Sequence, residues 1–148
     1  MADAITPAPK TPWHLWVVGV VYLLWSLVGA FDFFMTQTRN AAYLKAFTPA
    51  QLDFCYSLPF WMVAAWGIAT WGGALGSLLL LLRKVVAVPV FLVSFLGMVL
   101  MTIRNFGFAN GLKAMGGVGG LIFSVIIFVV GYLLFVYARA LRRRGVLR

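Results

Sequence analysis

Four long apolar runs, separated by basic residues and short polar segments, constrain this chain more than any other feature. They extend roughly from Trp13 to Met35, Leu58 to Leu82, Val85 to Ile103 and Val118 to Ala138. A helix rises about 1.5 Å per residue, so about 20 apolar residues cross a hydrocarbon core of about 30 Å. In that medium a segment must satisfy its own backbone hydrogen bonds, and a helix does so. Membrane strands would be shorter and would alternate polar with apolar residues. The sequence therefore predicts an all-α fold: a single membrane domain over residues 1–148, built as an integral membrane four-helix bundle. Composition agrees, with 64% hydrophobic and 10% charged residues and a mean hydropathy of +1.00. A soluble domain of this size leaves too much surface in water to tolerate that balance.

Charge comes next. Twelve Lys and Arg stand against three Asp, giving a formal net charge of +9. The basic residues flank the apolar runs, which points to anionic lipid headgroups at the basic C-terminal tail and away from nucleic acid. With the N-terminus inside, Lys10, Arg83, Lys84, Arg139, Arg142, Arg143, Arg144 and Arg148 lie on the inner side. Arg39, Lys45, Arg104 and Lys113 lie outside, so the split is eight to four. That asymmetry predicts both termini in the cytoplasm. Residues 1–11 and 142–148 read as flexible tails. The Pro-rich start has no basic cluster ahead of its apolar run, unlike a secretory signal.

The connections differ in kind. Arg83-Lys84 alone separates the second and third spans, which predicts a tight antiparallel hairpin. Pro89 falls in the first turns of the third helix, where a missing N–H matters least. Asn110-Gly111 and Gly116-Gly117-Val118-Gly119-Gly120 make the third connection glycine-rich. In the first outer loop, Thr48-Pro49-Ala50-Gln51 is a helix-start signature: a capping Thr, Pro at the first helical position and Gln able to bond back. A short interfacial helix is expected over residues 49–57.

Few residues could carry chemistry. Asp32 is the acid nearest a span, set among Phe31, Phe33 and Phe34. Such a carboxylate needs a partner or water. Arg104, at the same predicted depth, is the expected partner in a polar site, with Arg39 and Lys113 as alternatives. Ala65, Ala69, Gly73 and Gly76 share one face of the second helix and form a candidate helix-packing face. Trp13, Trp16 and Trp61 fit interfacial belts, whereas Trp25, Trp66 and Trp71 lie deeper. Single residues His14 and Cys55 exclude a multi-ligand metal centre and an intrachain disulfide. No catalytic site, metal site or cofactor is expected, because one histidine and three acids leave too few groups for acid–base work.

The segments Gly29-Ala-Phe-Asp-Phe-Phe-Met-Thr-Gln-Thr-Arg-Asn40, Phe47-Thr-Pro-Ala-Gln51 and Trp71-Gly-Gly-Ala-Leu-Gly-Ser-Leu-Leu-Leu-Leu-Leu-Arg83 resemble a group of small four-helix proteobacterial inner-membrane proteins. Its members are mostly uncharacterised and sometimes labelled sugar transporters. The resemblance covers most of the chain and implies a polytopic inner-membrane protein. Two function classes are open. One is a structural or helper component of a larger membrane complex, favoured by abundant aromatic and small residues. The other is a small-solute transporter, possibly for sugar, acting as a homo-oligomer, favoured by Asp32, Arg104 and the deep Trp residues.

Overall fold

The computed structural model describes residues 10–108 and 116–148. Among them the chain runs α1 (Trp13–Gln37), α2 (Ala41–Leu44), α3 (Pro49–Tyr56), α4 (Phe60–Leu81), α5 (Ala87–Ile103), a π-helical turn (Arg104–Phe108) and α6 (Val118–Arg143). Helices α1, α4, α5 with its π turn, and α6 are each long and apolar enough to cross a membrane. The protein is an all-α four-helix membrane bundle. Residues 1–9 of the N-terminal tail, Asn110-Gly111 and Lys113 lie outside the described residues.

Local chemistry sets the boundaries. Helix α1 stops where the Thr38 amide and hydroxyl both turn back to the Phe34 carbonyl, and Arg39 then takes a left-handed φ of 53°. The Asn40 carboxamide caps α2 by accepting from the amides of Ala42 and Tyr43. In α3 the Thr48 Oγ1 accepts from the Gln51 amide at 3.3 Å, and Gln51 Oε1 accepts from the Thr48 amide at 2.9 Å. This reciprocal pair is the capping box that the Thr-Pro-Ala-Gln segment encodes. Pro59 precedes α4, and Pro89 is the third residue of α5, where its absent N–H falls among donors that have no intrahelical partner.

Helix α4 packs against α1 and α5, and α5 packs against α6. Close approach rests on small residues. A Cβ on Gly97 would lie 2.8 Å from the Ala65 carbonyl oxygen, and one on Gly76 would lie 2.6 Å from the Phe91 ring. Helices α1 and α6 do not pack along their length; side chains bridge them at two levels. Near the termini His14 Nδ1 shares a hydrogen bond with the Tyr137 hydroxyl, and further along the rings of Trp25 and Phe123 meet at 6.1 Å. Many of the large apolar side chains on the outer faces, such as Val21, Val28, Ile122 and Leu133, are exposed. In a membrane protein they meet lipid.

Two readings of the sequence need correction. The α4–α5 connection is wider than Arg83-Lys84: it takes residues 82–86 and turns on Arg83, whose φ is 56°. More importantly, 142–148 is not a free tail. Arg142 and Arg143 belong to α6, and Gly145, at φ 70°, reverses the chain. The Gly145 amide donates to the Arg142 carbonyl and the Val146 amide to the Leu141 carbonyl, a Schellman closure. Val146 and Leu147 then bury among Leu15, Leu80, Val88, Phe91 and Leu141. The Val85 amide donates to the Arg148 carbonyl at 2.9 Å, and the Arg148 amide donates to the Arg83 carbonyl at 2.7 Å. The termini end of the bundle is thus sealed by the last five residues.

Candidate functional site

Toward the other end the four spans surround a cavity of about 570 Å³. Its walls come from α1, α4, α5 and α6, and α2, α3 and the turn between them supply its roof through Tyr43, Phe47, Gln51, Phe54 and Cys55. The short α3 therefore does more than lie at an interface: one of its faces closes the cavity. The π turn presents the buried Asn105, together with Phe106, to the same space. Widened helical turns of this kind often serve to re-aim side chains at functional sites.

Asp32 lies on the wall near the roof. Its Oδ1 accepts a hydrogen bond of 2.6 Å from the Tyr43 hydroxyl, and the Tyr43 ring stands edge-on to Phe31 at 5.7 Å. The expected pairing with Arg104 is not made. The Arg104 guanidinium sits over the Phe54 ring at 5.3 Å, and its Nη1 is buried without a hydrogen-bond partner among the described residues. Arg104 keeps α-helical register, its amide reaching the Leu100 carbonyl, but its side chain is taken up by the Phe54 ring of α3 and does not reach across to Asp32. Arg39 is also elsewhere, with its guanidinium over Tyr56 at 4.6 Å. Tyr56 in turn donates to the Thr36 carbonyl, which pins α3 to the end of α1. Lys113 lies outside the described residues.

Burial and the adjacent Asp32 carboxylate push the Tyr43 phenol up to about 12. A raised phenol pKa means that the Tyr43–Asp32 contact contributes fully below the ordinary value near 10 and is lost as pH rises through about 12. Ultraviolet titration of the five tyrosines should therefore show one ionising near 12, and Asp32→Asn should bring that step down. An unmoved step in Asp32→Asn would detach Tyr43 from Asp32. The Cys55 thiol is likewise raised, by burial and by Asp32, so it stays protonated at neutral pH.

The candidate packing face on α4 lies inside the bundle. Ala65 and Ala69 approach Gly97 of α5, Gly76 faces Phe91, and a Cβ on Gly73 would lie 3.1 Å from Ser26 Oγ of α1. Trp25 and Trp66, noted for their depth, both reach the cavity, whereas Trp71 is on the outer surface. Sequence reasoning missed Tyr43, Met98, Met101 and Asn105. The Asn40 cap three residues before Tyr43 was a usable signal; the π turn left none.

The sequence matches no protein-family model, no curated protein and no solved structure.

Proposed function

We propose that this protein is a bacterial inner-membrane carrier that binds a small solute in the cavity between its four spans, with both termini in the cytoplasm. The observation that carries this reading is the cavity itself. Its volume of about 570 Å³ falls in the usual range of ligand pockets, about 300–1,000 Å³, and it joins apolar walls to a few converging polar groups. A subunit that serves only to pack against a partner has no use for polar groups that converge on an apolar pocket. The helper reading is therefore second. In the single chain the cavity stops at the sealed termini end, so passage across the membrane requires that seal to open or a second copy to complete the path. The reading is non-catalytic: among the described residues the wall carries one carboxylate, no histidine and a protonated thiol, which is no acid–base pair. The exposed Arg139, Arg142, Arg143 and Arg144 suit anionic headgroups on the cytoplasmic side.

Proteoliposomes containing the purified full chain test the reading with a panel of tritiated cationic, neutral and anionic solutes. Saturable uptake of at least one solute is expected, and Ser124→Trp, which fills the cavity, should remove it while leaving the melting temperature within the normal range of surface variants. Uptake no greater than that of protein-free liposomes, together with a stable co-purifying membrane partner, would favour the helper role.

Orientation has its own test. In a Cys55→Ser background, a membrane-impermeant maleimide added to intact cells should label Ala42→Cys, in the exposed α2, and should spare Arg143→Cys until the cells are opened. The opposite pattern would invert the topology.

A further inference from the structure

We propose that the solute is a protonated amine carried on an apolar, ring-sized body, and that Asp32 is its counter-ion. The proposal rests on the cavity being a binding site and adds the charge class of what it binds. Three observations lead to it. First, the protein carries twelve Lys and Arg, yet among the described residues neither Lys, Arg nor His lines the cavity, and Asp32 is the one carboxylate that does. Both arginines that could have paired with Asp32 are engaged on aromatic rings instead. A carboxylate held in an apolar setting with only a phenol as partner is costly and attracts a cation.

Second, the wall offers acceptors and only uncharged donors among the described residues, where an anion would need positive charge. The hydroxyls of Thr70, Thr102 and Ser124 each donate to a carbonyl of their own helix, at 3.1, 2.9 and 2.9 Å. Tyr43 donates to Asp32. Their remaining lone pairs, with the carboxylate, present acceptor sites to the cavity. The other donors on the described wall, the indole N–H groups, the Gln51 and Asn105 amides, the Tyr22 and Ser26 hydroxyls and the Cys55 thiol, are uncharged. An anion would meet no positive charge among the described residues of the wall, and a neutral polyol would leave the Asp32 carboxylate without a counter-charge.

Third, the remainder of the wall suits an apolar body that carries a cation. Trp25, Trp66, Phe54, Phe106 and Phe123 supply aromatic faces, and Met98 supplies a polarizable, adaptable surface. Aromatic faces attract cations and stack on rings without discriminating finely among them.

The test uses the full chain in nanodiscs of neutral phosphatidylcholine, so that no anionic lipid competes for cations. Three radiolabelled probes share one ring and differ in head group: 1-naphthylmethylamine, 1-naphthylmethanol and 1-naphthoate. Binding is read by equilibrium dialysis against empty discs. The amine should bind about tenfold or more tightly than the alcohol or the acid, in keeping with one charge-assisted hydrogen bond. Asp32→Asn should reduce amine affinity to that of the alcohol and leave the alcohol unchanged. Asp53→Asn, on the exposed side of α3, should change neither. Equal binding of the three probes, tightest binding of naphthoate, or amine affinity that survives Asp32→Asn would overturn the charge assignment while the binding cavity stood. No binding of any probe above empty discs would overturn the cavity reading as well. If Asp32→Asn does not fold, the comparison of the three probes on the unaltered protein decides the charge class by itself.

Discussion

Gly97→Leu is expected to prevent recovery of a folded, monodisperse protein, and Gly97→Ala to lower stability by about 1–3 kcal/mol. The reason is what a side chain would meet there. A Cβ on Gly97 comes to 2.8 Å from the Ala65 carbonyl oxygen and 3.4 Å from the Ala69 amide nitrogen. Both are backbone atoms of α4 and have no rotamer to move into. Relief requires α4 and α5 to separate, which would also release the Ser94 hydroxyl from the Ala69 carbonyl, a bond of 2.6 Å between the same two helices. In lipid the association of helices depends on such close packing, since the tails outside are as apolar as the side chains within. Gly119→Ala is the matched control: nothing lies within 4 Å of its added Cβ, so it should melt with the wild type. Tryptophan-fluorescence melting with size-exclusion chromatography reads both. If Gly97→Leu melts with the wild type, the α4–α5 contact is not what holds the bundle.

The second large effect is expected at the C-terminus. Leu147→Asp should destabilise the protein by about 3 kcal/mol or more, because it removes one buried apolar side chain and leaves a carboxylate that cannot stay in the cluster. Deleting residues 144–148 should do the same and should also free the Val85 amide and the Arg83 carbonyl from Arg148. Gly145→Val acts by another route. Its φ of 70° suits glycine and strains a β-branched residue, so the chain reversal itself should weaken, at a cost of about 1–2 kcal/mol. Hydrogen exchange gives the direct measurement: protection at Val146 and Arg148 in the wild type, lost in Gly145→Val. Rapid exchange at both amides in the wild type would mean that the segment does not seal the bundle.

The same two regions separate what the sequence by itself determined from what only the tertiary structure decided. The four spans were legible because burial in lipid demands long unbroken apolar runs, and a helix is the one local solution for each of them. The start of α3 was legible for an equally local reason: Thr48, Pro49 and Gln51 satisfy the first turn from within four residues. Gly145 also carried a local signal, a glycine just past the end of a helix. It was outweighed by the arginines before it, which read as a solvated tail. Local chemistry gave the turn, but only the positions of Leu15, Leu80 and Phe91, brought from three other helices, made Val146 and Leu147 part of a core. Asp32 and Arg104 show the limit most plainly. Their depths along α1 and α5 could be counted from the sequence, but equal depth does not make them partners. Both side chains are instead claimed by the outer loop, Asp32 by the Tyr43 hydroxyl and Arg104 by the Phe54 ring. How that loop folds back over the bundle is a tertiary matter. The π turn after Arg104, which nothing in Arg104-Asn-Phe-Gly-Phe108 announces, likewise decides where Asn105 points. The cavity is decided in the same way, since its lining comes from all four spans and from the outer loop folded over them. How closely two helices approach is a property of the pair, set by the small residues at their contact, and no single helix encodes the space left between four of them.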